Sequence, residues 1–255
     1  MTDALLLIAR DTTQARDVVG THARRLRESD IADSVRTAYY EHDPVHELAD
    51  EFTDIEAETV YALPVTIAHT YETTDDIPAA LSYCPGEVHY CEPIGRSPGV
   101  TGAICDRAAT RSPRADSLVL VGLGNSALPY GRQTVEHHAS RLRDRGTYDE
   151  VETCYLLQNP AVECVRYNVT GDDAVAVPLF LTGGRATEEE IPRKLELDRG
   201  GIAYADVLGT HDGVTDAMRA AVDTQRVMAG GSHPSSFEAT LAMNARPMAT
   251  DGRGD

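Results

Sequence analysis

Tryptophan is absent from the chain, phenylalanine occurs three times, and among the 23 basic residues only Lys194 is a lysine. No apolar run approaches the roughly 20 residues of a membrane-spanning helix. The apolar stretch Leu5–Ile8, preceded by Asp3, is too short for the core of a signal peptide. These absences predict a cytoplasmic protein. The five cysteines are odd in number and never spaced as Cys-x-x-Cys, which argues against a disulfide framework, a zinc knuckle or a common iron–sulfur site. Cys84, Cys91, Cys105, Cys154 and Cys164 read as small apolar residues, with a metal role left open only for Cys84 and Cys91, which share one short segment.

Acidic residues number 41 and the formal charge is −18. Such a field repels nucleic acid and anionic membranes, and no basic stripe interrupts it. A dense carboxylate surface over a core of Ala and Val, with almost no lysine, describes a protein adapted to molar salt, where the Debye length falls to about 3 Å. The other reading is an ordinary acidic protein. The halophilic reading predicts a higher melting temperature by circular dichroism in about 2 M KCl than in about 0.1 M; equal melting temperatures would exclude it.

The chain repeats itself. His22-Ala23-Arg24-Arg25-Leu26-Arg27 lies over His138-Ala139-Ser140-Arg141-Leu142-Arg143, an offset of 116 that continues through Tyr39/Tyr155 and Pro44/Pro160. The offset then becomes 114: Pro64 meets Pro178, Ile77-Pro78 meets Ile191-Pro192, and Gly99-Val100-Thr101 meets Gly213-Val214-Thr215. Internal periodicity of this kind sets the architecture before any motif does. The predicted domains are 1–112 and 113–228, with a Gly-, Pro-, Ser- and Met-rich tail over 229–255. In each copy strands alternate with helices. The strands fall near 5–8, 34–40, 59–66 and 87–91 in copy one and near 118–121, 150–157, 174–181 and 201–207 in copy two. This order predicts an α/β fold of two tandem lobes, each a parallel sheet flanked by helices, with a cleft between them.

Ligands of open parallel sheets bind beyond the carboxyl ends of strands. The loops after the first and third strand of each copy are therefore the candidate sites. Gly122-Leu123-Gly124-Asn125-Ser126 imitates the start of a dinucleotide fingerprint, but Pro129 falls where the helix should run and no acid is placed for a ribose. Its backbone amides remain available to another anion. His69 and Glu72, three apart, offer a nitrogen and an oxygen to one divalent metal, or a base and its partner. His42 and His46, with Glu41 and Asp43, read as a solvated helix start, and His22, His137 and His138 as surface or packing residues.

The order strand, turn, helix, then a proline and a Gly-rich or His-bearing loop ending in Asp76-Ile77-Pro78 or Glu190-Ile191-Pro192, then Gly99-Val100 or Gly213-Val214, resembles the CbiX-type class II chelatases. These insert cobalt or iron into sirohydrochlorin, and the likeness extends to the versions of salt-loving archaea. It covers residues 3–228 and implies two chelatase-like lobes with a tetrapyrrole cleft. The family's metal-handling histidines would fall at Arg10 and Leu123 in the first turns and at Glu72 and Ala186 in the later loops, so all four are substituted. What the resemblance then implies is local to copy one: His69 and Glu72 as catalytic and metal-binding residues, and Arg10, Asn125, Ser126 and Arg185 as binders of the ring's carboxylates. Co²⁺ or Fe²⁺ would be a substrate, with no organic cofactor. Two readings stay open: a chelatase with an altered site, and a non-catalytic relative that binds tetrapyrrole or metal or regulates a true chelatase by pairing with it. Homo-oligomerisation is equally open.

Overall fold

In β1 (Asp3–Arg10), Leu5, Leu7 and Ala9 belong to one apolar cluster while Leu6 and Ile8 belong to another. Side chains alternating across a strand that is apolar on both faces call for cover on both sides. The computed structural model, which describes residues 2–230, supplies that cover. Copy one continues through α1 (Thr13–Glu28), β2 (Ser34–Tyr40), α2 (Pro44–Thr53), β3 (Thr59–Pro64), α3 (Ile77–Leu81), β4 (Glu87–Tyr90) and α4 (Pro98–Arg111). Copy two follows with β5 (Ser117–Gly122), α5 (Tyr130–Arg145), β6 (Glu150–Tyr155), α6 (Val162–Val165), β7 (Ala174–Pro178), α7 (Ile191–Lys194), β8 (Ile202–Tyr204) and α8 (Asp212–Gly230). The tail expected from residue 229 lies outside the described residues, apart from Ala229 and Gly230 at the end of α8.

Each copy forms one parallel sheet, ordered β2-β1-β3-β4 and β6-β5-β7-β8. The register confirms the internal alignment. Ile8 pairs with Pro64 as Val121 pairs with Pro178, and Ala9 with Tyr39 as Gly122 with Tyr155, which makes Arg10 and Leu123 equivalent positions. One difference from the expected loops is that Glu72–Asp76 and Ala186–Glu190 form π-helical turns. In each, the N–H of the isoleucine before the proline reaches back five residues, Ile77 to Glu72 and Ile191 to Ala186. Glu72 and Ala186 open equivalent turns.

The lobes are interlocked. The inner faces of both sheets and residues of α1, α4, α5 and α8 share one continuous core, whereas α2 with α3 and α6 with α7 cover the outer faces. The last helix of each copy packs on the other copy's sheet: α4 lies on β7, and α8 on β3 and β4. Two buried histidines fasten this exchange. His22 on α1 joins Thr215 Oγ1 on α8 (2.8 Å) and the Gly209 carbonyl (3.0 Å); His138 on α5 joins Thr101 Oγ1 on α4 (2.9 Å) and the Gly95 carbonyl. Both are fully buried, so they are packing residues with a specific polar role.

Near the pseudo-two-fold axis α4 and α8 approach backbone to backbone. A Cβ at Gly99 would lie 2.3 Å from the Gly213 carbonyl oxygen, and one at Gly213 would lie 2.5 Å from that of Gly99. Neither obstacle is a side chain that can swing away. Gly213→Ala is expected to cost about 1–3 kcal/mol, read as a lower denaturation midpoint. An unchanged midpoint would mean that the helix pair can part without loss.

Candidate functional site

All eight strands run parallel within their sheets, so the loops that follow them gather at the carboxyl edges. There the two copies enclose two neighbouring cavities. A cavity of about 450 Å³ is lined by His69, Thr73, Tyr90, Glu92 and Arg96 of copy one with Tyr130 and Gln133 of α5. A second, of about 260 Å³, lies between Val65–Thr70 and the copy-two residues Leu123, Leu128, Leu179, Phe180 and Leu181. His69 lines both. Copy two thus contributes the apolar wall of the smaller cavity and Tyr130 and Gln133 of the larger one, and copy one contributes His69, Glu92 and Arg96.

His69 is fixed from three sides. Its Nε2 lies 2.8 Å from Glu92 Oε2, its Nδ1 lies 3.2 Å from Thr73 Oγ1, and its ring meets the edge of Tyr130 at 5.3 Å between centroids. Thr73 is held in turn by Thr70 within the π-helical turn, and the Tyr90 hydroxyl donates to its carbonyl. The carboxylate facing Nε2 can only accept, so Nε2 carries the proton of that hydrogen bond. The His69 side chain is 21 % exposed and that of Glu92 79 %, so the imidazole sits in the wall and the carboxylate at the mouth. The hydrogen bond from His69, followed by its charge and that of Arg96, holds the Glu92 carboxyl below the ordinary range.

Glu72 takes different company. No hydrogen bond or ion pair joins it to His69. Burial acts to raise its pKa, but hydrogen bonding to Thr70 and to the backbone, with the charge of Arg10, outweighs that and leaves it lowered. Tyr40, pushed up to about 12 chiefly by burial and then by Glu72, shares this neighbourhood, as does Asp76, raised by burial and then by Glu72. The charge of Arg10 therefore acts on Glu72, whereas His69 is joined directly to Glu92.

Asn125 and Arg185, also expected to bind anions, are engaged elsewhere. The Asn125 N–H donates to Gln158 Oε1 (2.8 Å), and its side-chain oxygen accepts from Ala127 N (2.8 Å), which uses amides that a phosphate would need. Ser126 follows in the same exposed turn. Arg185 is 80 % exposed and turned to Glu190 at 3.3 Å. Cys91 is buried, its thiol pushed up to about 12 by that burial. Among the described residues no group of three or more His, Cys, Asp or Glu is placed to hold a metal ion, and no helix is long and apolar enough to cross a membrane.

Copy two has closed the place equivalent to His69. Gly183 stands there; a Cβ on it would lie 2.6 Å from Glu188 Oε1 and 2.7 Å from Gln14 Oε1, and Gln14 Nε2 donates to Glu188 Oε1 at 3.0 Å. Sequence reasoning missed Glu92, Arg96, Tyr130 and Gln133. The signal for the first two was the strand order itself, since the loop after β4 reaches the same carboxyl edge as those after β1 and β3.

The family model described as CbiX matches the chain twice, over residues 4–111 and 117–225. A Halobacterium salinarum protein described as "probable sirohydrochlorin cobaltochelatase" is 28% identical over 201 residues, 68% of this chain and 68% of that one. The sirohydrochlorin cobaltochelatase of Methanopyrus kandleri is 40% identical over 86 residues, 32% of this chain and 59% of that one. Among solved structures, SirB from Bacillus subtilis with Fe³⁺ superposes with a TM-score of 0.75 at 19% identity, over 91% of this chain and 98% of that one. The sirohydrochlorin chelatase SirB in complex with cobalt gives 0.73 at 20% identity, over the same shares. At these identities the structural likeness speaks for the fold. The twofold match of the family model, one copy on each repeat, makes the chain a member of the CbiX family.

Proposed function

We propose that this chain inserts Co²⁺ or Fe²⁺ into a sirohydrochlorin-type tetrapyrrole, as cobalamin or siroheme synthesis requires, in the cytoplasm and without an organic cofactor. The reaction removes two pyrrole N–H protons and hands over one weakly held divalent ion. The observation that carries the reading is the His69–Glu92 pair where the two cavities meet. Adjacent ligands of one ion at first-row metal distances lie about 2.9 Å apart, close to the 2.8 Å between Nε2 and Oε2, so an ion can replace the shared proton. Two protein donors leave its remaining positions to the ring nitrogens, which suits a substrate metal better than a closed cage would. Glu72, at the loop position that the family likeness marks, is the alternative carboxylate.

The non-catalytic reading has its own support in Arg10, whose cation beside Glu72 opposes a metal there. One experiment separates the two. Purified protein in molar KCl is mixed with sirohydrochlorin and Co²⁺ or Fe²⁺, and the absorption spectrum is followed. Conversion faster than in a protein-free control supports the chelatase; bound but unmetalated tetrapyrrole assigns the chain to the non-catalytic class.

A further inference from the structure

The two copies differ in charge at one pseudo-equivalent place. In the first setting, Arg25 on α1 donates to the Thr210 carbonyl and lies 3.1 Å from Asp212 Oδ1 at the start of α8. The internal offsets carry Arg25 onto Arg141, Thr210 onto Arg96, Asp212 onto Pro98 and Thr21 onto His137. The second setting has therefore lost the acid and gained an arginine and an imidazole, in a protein whose overall charge is −18.

Of these groups Arg96 reaches the larger cavity, while His137 and Arg141 lie farther along α5, outside its lining. Arg96 and Gln133 line it and are joined by a 3.3 Å hydrogen bond. Gln133, His137 and Arg141 recur every four residues and share one face of α5, spanning about 12 Å. Among the described residues none of Arg96, His137 and Arg141 forms an ion pair within 4 Å. His137 Nε2 and Arg141 Nε are buried with no hydrogen-bond partner. Burial, then the charges of Arg141 and Arg96, lowers the pKa of His137, while a hydrogen bond to the Arg96 backbone acts the other way. Buried polar atoms in native proteins are paired as a rule, and Arg141 Nε, an unpaired donor on a cation without a counter-ion, asks for an anion.

We propose that Arg96 and Arg141 form a carboxylate-binding edge that extends from the cavity along α5, takes peripheral acid groups of the tetrapyrrole and so orients the ring toward His69. This rests on the chelatase reading for the identity of the ligand. Contact ion pairs of this kind persist at high salt, where longer-range attraction is screened.

The test titrates metal-free sirohydrochlorin, and separately a porphyrin with fewer carboxylates, into wild type, Arg96→Gln, Arg141→Gln, the double variant and Arg25→Gln in molar KCl, with circular dichroism to confirm folding. Each single change in the patch should weaken sirohydrochlorin binding about tenfold while barely altering the carboxylate-poor ring. Arg25→Gln, in the pseudo-equivalent place, should leave both affinities intact. Wild-type affinity in the double variant, equal losses for both rings, or no binding of sirohydrochlorin by the wild type would overturn the subsite. Arginine-dependent binding without metalation would sink the chelatase reading and keep the subsite; metalation at wild-type rate and affinity in the double variant would do the reverse.

Discussion

Replacing His69 by alanine is expected to slow metal insertion on the order of 10²-fold or more, followed as the change in the sirohydrochlorin spectrum. Among the described residues the imidazole is the only nitrogen ligand that lines both cavities, and its removal would take from the proposed reaction both a proton acceptor and a metal donor. Glu92→Gln keeps the shape and a hydrogen bond to the ring but removes the charge that favours an imidazolium or a cation at Nε2, and should cost tens of fold. Glu72→Gln should cost less than Glu92→Gln, because its carboxylate is set against Arg10. A large loss in Glu72→Gln with none in Glu92→Gln would make Glu72 the partner carboxylate. Unchanged turnover in both His69→Ala and Glu92→Gln would remove the pair from the mechanism.

The fold was legible because it is written twice. Pro64 and Pro178, the Ile-Pro pairs and Gly99 with Gly213 recur at fixed offsets, and a strand such as Leu5–Ile8 that is apolar at every position has few homes other than a parallel sheet covered on both faces. The exchange of α4 and α8 was not legible. A helix's apolar stripe specifies burial but not which sheet receives it, and only Thr101 and Thr215, which meet His138 and His22, mark the choice. The site was half legible. His69 stood out by residue type at a strand end, yet the carboxylate three residues on, Glu72, opens the π-helical turn and bonds to Thr70 and the backbone instead of to His69. Its partner Glu92 lies 23 residues on, beyond the reach of any short spacing rule. Tyr130 and Gln133 belong to α5, and only the packing of copy two on copy one brings them to the cavity.

The buried histidines that fasten the exchanged helices should make the protein sensitive to mild acid. His138 Nε2 faces the Gly95 carbonyl, which can only accept, so the ring is neutral with its proton on Nε2, and Nδ1 accepts from the Thr101 hydroxyl. Burial, the largest cause, lowers its pKa to about 4; burial also lowers that of His22. An unfolded chain has the ordinary value near 6.5, so between about pH 6.5 and 4 it binds protons that the folded state refuses. Stability therefore falls as pH falls through that window, and it is fully present only above about pH 7. For His138 alone the loss from pH 7 to 5 is about 2 kcal/mol, with His22 adding in the same direction. That corresponds to a melting temperature lower by about 4–8 °C. Carboxylates held ionised, such as Glu47 at about 2 by three backbone amides, lose their contribution only below the ordinary carboxylate range, so the drop between pH 6.5 and 5 belongs to imidazoles. The scan should be made in about 2 M KCl, because protonating surface acids at low salt would relieve repulsion and mask the effect. His138→Gln should melt lower at pH 7 than the wild type, yet show a flatter profile from pH 7 to 5. A wild-type profile that is flat over this range would mean that the folded protein accepts a proton at both sites, and the neutral, doubly hydrogen-bonded clasp would be wrong.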